Sequence, residues 1–369
     1  MKYEKMIINR NVLINVSDDK TQLILDDRRV TITVSTKMYL LLKRIVDEHV
    51  SIEEIYSLKI DSLTEMVSTL YFNDILLTEE DDELLKYGIL HNPARINTHA
   101  LSIPDTHSSQ WCFFGAPVDF ALDPPRSPAH GPYIYRKLGV AHKDMRDIGD
   151  VAYATTDNIY NFGKRIQHII RKIKEKQNKV IMFGGDHSLT YFSVKEMINF
   201  APDLILIQMD AHSDINTNID KTNDYLYHAN FISKLISEKA VRTVIQLGVR
   251  ERTRRYNENY LKSSSIIQFC PKMNDDDRRD LISLIKNKSV YISFDVDVLD
   301  PGVFPHVTTP LDDGMNESEV LDIFNIIKNS SCKIEGADIM EFTCGFDEKG
   351  ELFNHEIKVL DKVISLIID

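Results

Sequence analysis

Four short segments of this chain concentrate acids and histidines in a pattern that suits metal chemistry: Gly184-Gly185-Asp186-His187-Ser188, Asp210-Ala211-His212-Ser213-Asp214, Asp295-Val296-Asp297, and Asp338-Ile339-Met340-Glu341. A lone aspartate after an apolar run is ordinarily a helix cap or turn former. Several converging ones are different. In an Asp-x-His-x-Asp or Asp-x-Asp run, extended backbone places alternate side chains on one side, so ligands from two strand ends can face one cleft. Such a cluster of carboxylates is unfavourable unless cations neutralise it. Carboxylates mixed with imidazoles suit Mn²⁺ better than a thiolate-loving zinc site, and the set suffices for two metals about 3.5–4 Å apart. Two cations sharing a water would lower its pKa and supply a nucleophile without any serine or cysteine.

Each segment ends an apolar run, and between these runs lie amphipathic stretches. Runs at Trp111 to Phe114, Lys179 to Phe183, Leu204 to Met209, Thr243 to Gly248, Ser289 to Phe294 and Lys333 to Ile339 predict strands. Helices are predicted near Asn158 to Lys176, Tyr191 to Asn199, Asn230 to Glu238 and Glu317 to Ile327. This alternation predicts right-handed crossovers and an α/β domain: a parallel sheet with helices on both faces, three layers deep. Ligands in such a sheet bind outside the carboxyl ends of the strands, where the four segments lie.

In order and spacing, Gly184 to Ser188, Asp210 to Asp214, Ser293-Phe294-Asp295-Val296-Asp297-Val298-Leu299-Asp300-Pro301 and Gly336 to Glu341 resemble the signature segments of the ureohydrolase family, the arginases, agmatinases and relatives. Gly115-Ala116-Pro117-Val118-Asp119, Gly131-Pro132 and Asp147-Ile148-Gly149-Asp150 are weaker matches, and the resemblance covers about Trp111 to Asp369. It implies an arginase-like fold and a centre of two Mn²⁺ held by His187, Asp210, His212, Asp214, Asp295 and Asp297, with Asp210 and Asp295 bridging. Asp186 and Asp338 would orient those ligands from behind. Glu341 would pair with a substrate guanidinium and His228 would pass protons. The products would be urea and an amine. For His228 a polar core histidine stays open as an alternative.

Two features bear on the substrate. Asn216 and Thr217 follow Asp214 as they do in arginases, and Thr309 matches a substrate-contacting threonine; both are implied by the resemblance. However, the loop Asn218 to Tyr227 lacks the Ser/Gly-rich character of arginases, and Phe304-Pro305-His306-Val307-Thr308-Thr309-Pro310 departs from the family's Pro-Gly-Thr-Gly-Thr-Pro. Free arginine has charged α-groups that need polar partners when desolvated, whereas arginine inside a peptide does not. Conversion of peptidyl arginine to ornithine therefore ranks first, followed by free arginine or agmatine. A metal-free module that keeps the fold only for binding is the rival from another class; it gives little physical reason to retain so many buried acids.

The expected division is residues 1–90 as a small α+β domain, 91–108 as a linker, and 109–369 as the catalytic domain. Val12 to Val16, Gln22 to Leu25 and Val30 to Val34 predict three short strands. Ser35 can cap a helix bearing Met38, Leu41, Leu42, Ile45 and Val46 on one face; further helices open at Ser51 and Ser62, and a short strand pair begins at Ile75. This order resembles a winged-helix-like domain, in particular the peptide-recognition elements that accompany enzymes modifying ribosomally made peptides. It would bind a precursor peptide and raise the local concentration of a tethered substrate; an embellishment that only packs remains open.

Of 369 residues, 44 are Lys or Arg and 56 Asp or Glu, a net charge of −12 that argues against a nucleic-acid partner. The four cysteines form no C-x-x-C pair, so reduced thiols in a cytoplasmic protein are expected. No run of about 18 apolar residues or signal peptide stands out, so no membrane partner is expected. A homo-oligomer is expected from the resemblance. The acidic run Asp275 to Asp280 reads as a solvated loop opening a helix, and Arg250 to Arg255 as rim or interface.

Overall fold

The computed structural model describes residues 6–9, 12–25, 30–50, 52–72, 75–78, 89–90, 110–120, 127–140, 142, 144–153, 157–216, 225–251, 266–343 and 351–369. The chain divides into two compact units, one built on Met1–Pro93 and the other on Ile103–Asp369. The linker expected over 91–108, Thr217 with residues 218–224 of the loop Asn218 to Tyr227, and 252–265 lie outside the described residues.

In the smaller unit, Leu13–Val16, Lys20–Leu25 and Val30–Ser35 form an antiparallel sheet in chain order. The Ser35 hydroxyl accepts from the Met38 amide and caps the helix Thr36–Asp47. Tyr39, Leu42 and Ile45 of that helix are buried, whereas Leu41, expected on the inner face, is 43% exposed. Helices Ile52–Ser57 and Asp61–Phe72 follow. Among the described residues the strand expected near Ile75 pairs not with a later strand but with Met6–Ile8, an apolar triplet inside the charged N-terminal stretch, where no strand is expected. Leu23, Leu42, Leu63, Val67, Leu70 and Leu76 close one core.

The larger unit carries eight parallel strands in the order Ile266–Phe269, Thr243–Leu247, Ile205–Met209, Ser289–Asp295, Lys333–Met340, Lys179–Gly184, Trp111–Ala116, Met145–Val151. Alternate residues of the central strands, such as Ile181, Phe183, Ile207 and Ile292, enter a core shared with Leu281, Phe324 and Leu360 from the helices Asp275–Ile285, Glu317–Asn329 and Glu351–Ile368. The other face meets the helix Thr190–Met197, where the Ser193 hydroxyl reaches Met182 Sδ at 3.5 Å. Burial on both sides explains why these strands read as continuous apolar runs. The helix Ile159–Glu175, capped by Asn158, packs on Thr190–Met197: a side chain at Gly163 would meet the Phe192 ring at 2.3 Å.

In the larger unit two strands escape the sequence reading, Met145–Val151 and Ile266–Phe269. Met145–Val151 is broken by charge because Asp147 and Asp150 pair with the buried Arg136 of the helix Gly131–Leu138. The acidic run from Asp275 is the first turn of a helix, capped by Asn274, rather than a loop.

Candidate metal centre

The four central neighbouring strands, Ile205–Met209, Ser289–Asp295, Lys333–Met340 and Lys179–Gly184, end beside one another and deliver all four acidic segments to one place. After Lys179–Gly184 the chain turns tightly: a side chain at Gly185 would meet the Val118 carbonyl oxygen at 1.7 Å. Only glycine permits that approach. The next residue, Asp186, accepts from the Phe120 amide at 2.7 Å and the Ser188 amide at 3.0 Å, and so fixes the turn that presents His187.

His187 Nδ1 lies 3.1 Å from Asp210 Oδ2, 3.3 Å from Asp214 Oδ2 and 3.0 Å from Asp295 Oδ2. Although surrounded by oxygens, this buried nitrogen makes no hydrogen bond of acceptable geometry. Donor atoms converging with no well-formed hydrogen bond between them fit a cation. His212 Nδ1 lies 2.9 Å from Asp297 Oδ2 and 3.6 Å from Asp210 Oδ1. Two groups could each hold an ion: His187, Asp210 and Asp214, and Asp210, His212 and Asp297; Asp210 belongs to both.

The electrostatics point the same way. Burial, then the neighbouring Asp210 charge, pushes the Asp214 carboxyl well above its usual range, and burial with Asp297 does the same to Asp295. Burial opposes charge on His187, but the Asp210 and Asp295 carboxylates hold its proton well above the usual range. Divalent cations would supply the missing counter-charge. The oxygen-rich donor set fits Mn²⁺.

The outer partners are equally specific. His187 Nε2 lies 2.8 Å from Ser293 Oγ, which donates to Asp338 Oδ1 at 2.7 Å; Tyr291 donates to Asp338 Oδ2 at 2.9 Å. Asp338 thus orients the His187 ring through Ser293. Asp295 Oδ1 accepts from the Asp297 amide at 2.9 Å, and Asp297 Oδ1 from the Ala211 amide at 3.1 Å. Asp214 (φ 53°) and Glu341 (φ 65°) adopt left-handed backbone that disfavours side chains, a local strain held by the surrounding bonds.

Above the acids opens a cavity of about 140 Å³ whose lining includes His187, His212, Asp214, Asn216, His228, Asp295, Thr309 and Glu341. Glu341 accepts the His187 amide at 2.6 Å; burial, with the nearby Asp186 charge, pushes its carboxyl up to about 8. Thr309 Oγ1 reaches Asp297 Oδ2 at 3.4 Å. The altered loop Phe304 to Pro310 is anchored through His306, whose Nδ1 lies 2.7 Å from Glu356 Oε2 in the C-terminal helix.

Several participants are not evident in the sequence reading. Glu251, assigned there to a basic rim, lines the cavity and accepts from Ser213 N at 2.8 Å and Ser213 Oγ at 2.7 Å. Its place in the loop that follows the Thr243–Leu247 strand, at the same end of the sheet as the acidic segments, was the available signal. Arg250 is a scaffold rather than a rim: its guanidinium donates to the carbonyls of Asp297 at 2.8 Å and Leu311 at 2.8 Å. Gln208 donates to Asp210 and Asp214, and only its polarity within an apolar strand marks it.

A model of the Arginase family matches residues 109–362. The chain is 26% identical over 301 residues to an agmatinase of Blochmanniella floridana, covering 74% of this chain and 91% of that one. It is 29% identical over 273 residues to Arginase-1 of Homo sapiens, covering 62% and 83%. The solved proclavaminate amidino hydrolase from Streptomyces clavuligerus superposes with a TM-score of 0.59 at 22% identity, covering 72% and 94%, a likeness of fold.

Proposed function

This chain belongs to the arginase family of hydrolases acting on guanidino groups, and from that premise we propose that it cleaves a peptidyl arginine to ornithine and urea at a two-manganese centre. The ligands in this reading are His187, Asp210, His212, Asp214, Asp295 and Asp297. The observation that carries it is the pair of ligand groups sharing Asp210 at the floor of a cavity that Glu341 also lines. Bound Mn²⁺ ions supply an activated water at neutral pH.

The chain's own side chains do the rest. Glu341, buried and paired with no lysine or arginine among the described residues, receives the planar guanidinium and sets its carbon over the acids. His228, on the cavity wall, carries a proton to the departing amine. Asn216 and Thr309 contact the substrate beyond the guanidinium. Asp186 and Asp338 hold His187 in place.

Peptidyl arginine is favoured by the His306-anchored loop in place of the family's glycine-rich one and by the separate winged-helix-like unit, which would bind a precursor peptide. Free arginine or agmatine is the second reading, favoured by the agmatinase and Arginase-1 relatives. The reading extends to a cytoplasmic homo-oligomer. It is supported by Cys270 and Cys332 standing as free thiols, and among the described residues no helix is long and apolar enough to cross a membrane.

The test is urea release by Mn²⁺-loaded protein offered free arginine, agmatine and an internal-arginine peptide side by side, with Asp214→Ala as control. Turnover of the peptide alone is the expected result, and Asp214→Ala should abolish it. Ordinary turnover of free arginine, unaffected by deleting residues 1–90, would sink the peptide assignment.

A further inference from the structure

Gln208, Gln246 and Gln268 occupy one register row across three neighbouring parallel strands. Gln208 and Gln246 are fully buried among apolar neighbours, Met209 and Ile207 on one strand and Leu247 and Ile245 on the next. A buried primary amide is costly unless its donors and acceptor are met. Here they are met in sequence. Gln268 Nε2 donates to Gln246 Oε1 at 2.7 Å; Gln246 Nε2 donates to Gln208 Oε1 at 2.6 Å and to the Ser213 carbonyl at 2.7 Å; Gln208 Nε2 donates to Asp210 Oδ2 at 2.7 Å and Asp214 Oδ2 at 3.0 Å.

The direction of the row is forced. An ionised carboxylate only accepts, so Gln208 must turn its NH₂ to the acids and its oxygen to Gln246, which then must donate and leave its own oxygen for Gln268. Flipping any one amide would set acceptors face to face. The three amide dipoles therefore align with their positive ends toward the acids, and each bond polarises the next.

We propose that Gln246 is a positioning residue that acts through Gln208 to fix Asp210 and Asp214 for one of the two cation positions, the one shared with His187. This rests on the two-cation reading above. The selectivity follows from which atoms are touched. Gln208 contacts the Oδ2 atoms of Asp210 and Asp214, the same atoms that face His187 Nδ1. His212 Nδ1 pairs with Asp297 Oδ2 and faces Asp210 Oδ1; the row meets this second group only at the His212 carbonyl, 3.5 Å from Gln208 Nε2, and at none of its imidazole or Oδ1 atoms. Gln246 also grips the Ser213 carbonyl, one residue before the left-handed Asp214. Partners of this kind are worth about 10–100-fold in metal affinity.

The experiment is calorimetric titration of the metal-free full chain with Mn²⁺, for the unaltered protein, Gln208→Met, Gln246→Met and the double variant, with circular dichroism to verify folding. The unaltered chain should take up two equivalents. Gln246→Met should weaken one by about tenfold, within the range for such partners, and leave the other within about threefold. In the Gln208→Met background the same change should add less than about threefold, because its route through Gln208 is already cut and only its hold on the Ser213 carbonyl remains. If Gln246→Met does not fold, Gln268→Met at the exposed edge carries the test, with a loss of about threefold at the same equivalent expected. Equal loss at both positions, additive losses, tighter binding or no change would overturn the row while leaving two-cation binding intact. Fewer than two equivalents in the unaltered chain would overturn the proposed function itself, and the inference with it.

Discussion

Glu335 and Glu341 sit at opposite ends of one strand region, Glu335 near the start of Lys333–Met340 and Glu341 just past its end, and each is 5% exposed. Their electrostatic situations are opposite. Burial would raise the Glu335 carboxyl, yet Lys333 at 2.6 Å and Lys174 at 2.9 Å hold it below its usual range. Among the described residues no lysine pairs with Glu341, and burial together with Asp186 pushes it up to about 8. Under the proposed function, the difference is that one buried acid is neutralised within the fold while the other is left to receive the guanidinium.

The strongest way to break this contrast is Glu341→Gln. If Glu341 receives the guanidinium, kcat/KM for urea release should fall by about 10²–10³-fold, the usual cost of removing one partner of a buried charge pair. Bound Mn²⁺ should stay at two equivalents. A loss of less than threefold would show that the withheld charge serves packing instead. Ser293→Ala is next in size. It cuts the link between Asp338 and His187, so one cation should bind about 10–100-fold more weakly while Asp297 and His212 keep the other. A stepwise Mn²⁺ titration reads this directly, and equal weakening of both cations would count against the link.

What the sequence disclosed and what it hid follow from the same contrast. His187, Asp210, His212, Asp214, Asp295 and Asp297 announced themselves because carboxylates and imidazoles directly after apolar runs have few structural uses at that density. Their partners did not. Ser293 and Gln208 lie inside the strands, facing away from the Ile292 and Ile207 side, and their role exists only once parallel pairing sets Ser293 opposite both Gln208 and Asp338. Register across strands from distant parts of the chain has no local signature. The strand Met145–Val151 was hidden for a related reason, since its acids serve Arg136 rather than a pattern. In the smaller unit the Ser35 cap and the strand run were legible, but the Met6–Ile8 pairing joins residues about seventy positions apart. Leu41 misled because helical spacing alone does not say where a buried face ends.

The smallest effect belongs to the neutralised end. Because the folded state lowers the Glu335 pKa, its contribution to stability is present above the unfolded glutamate value, near 4.5, and is lost as pH falls through the lower folded value. Lys333 is 69% exposed, so solvent screens that arm, and the more buried Lys174 carries most of the effect. Lys174→Met should therefore narrow the difference in melting temperature between pH 7 and pH 4 by an amount equivalent to about 1 kcal/mol or less. It should leave urea release unchanged at pH 8, since nothing at this end of the strand touches the cavity. Thermal melts across that pH range decide the first point. An altered kcat/KM would mean that the two ends of the strand are coupled, and that Glu335 is more than the ordinary ion pair against which Glu341 stands out.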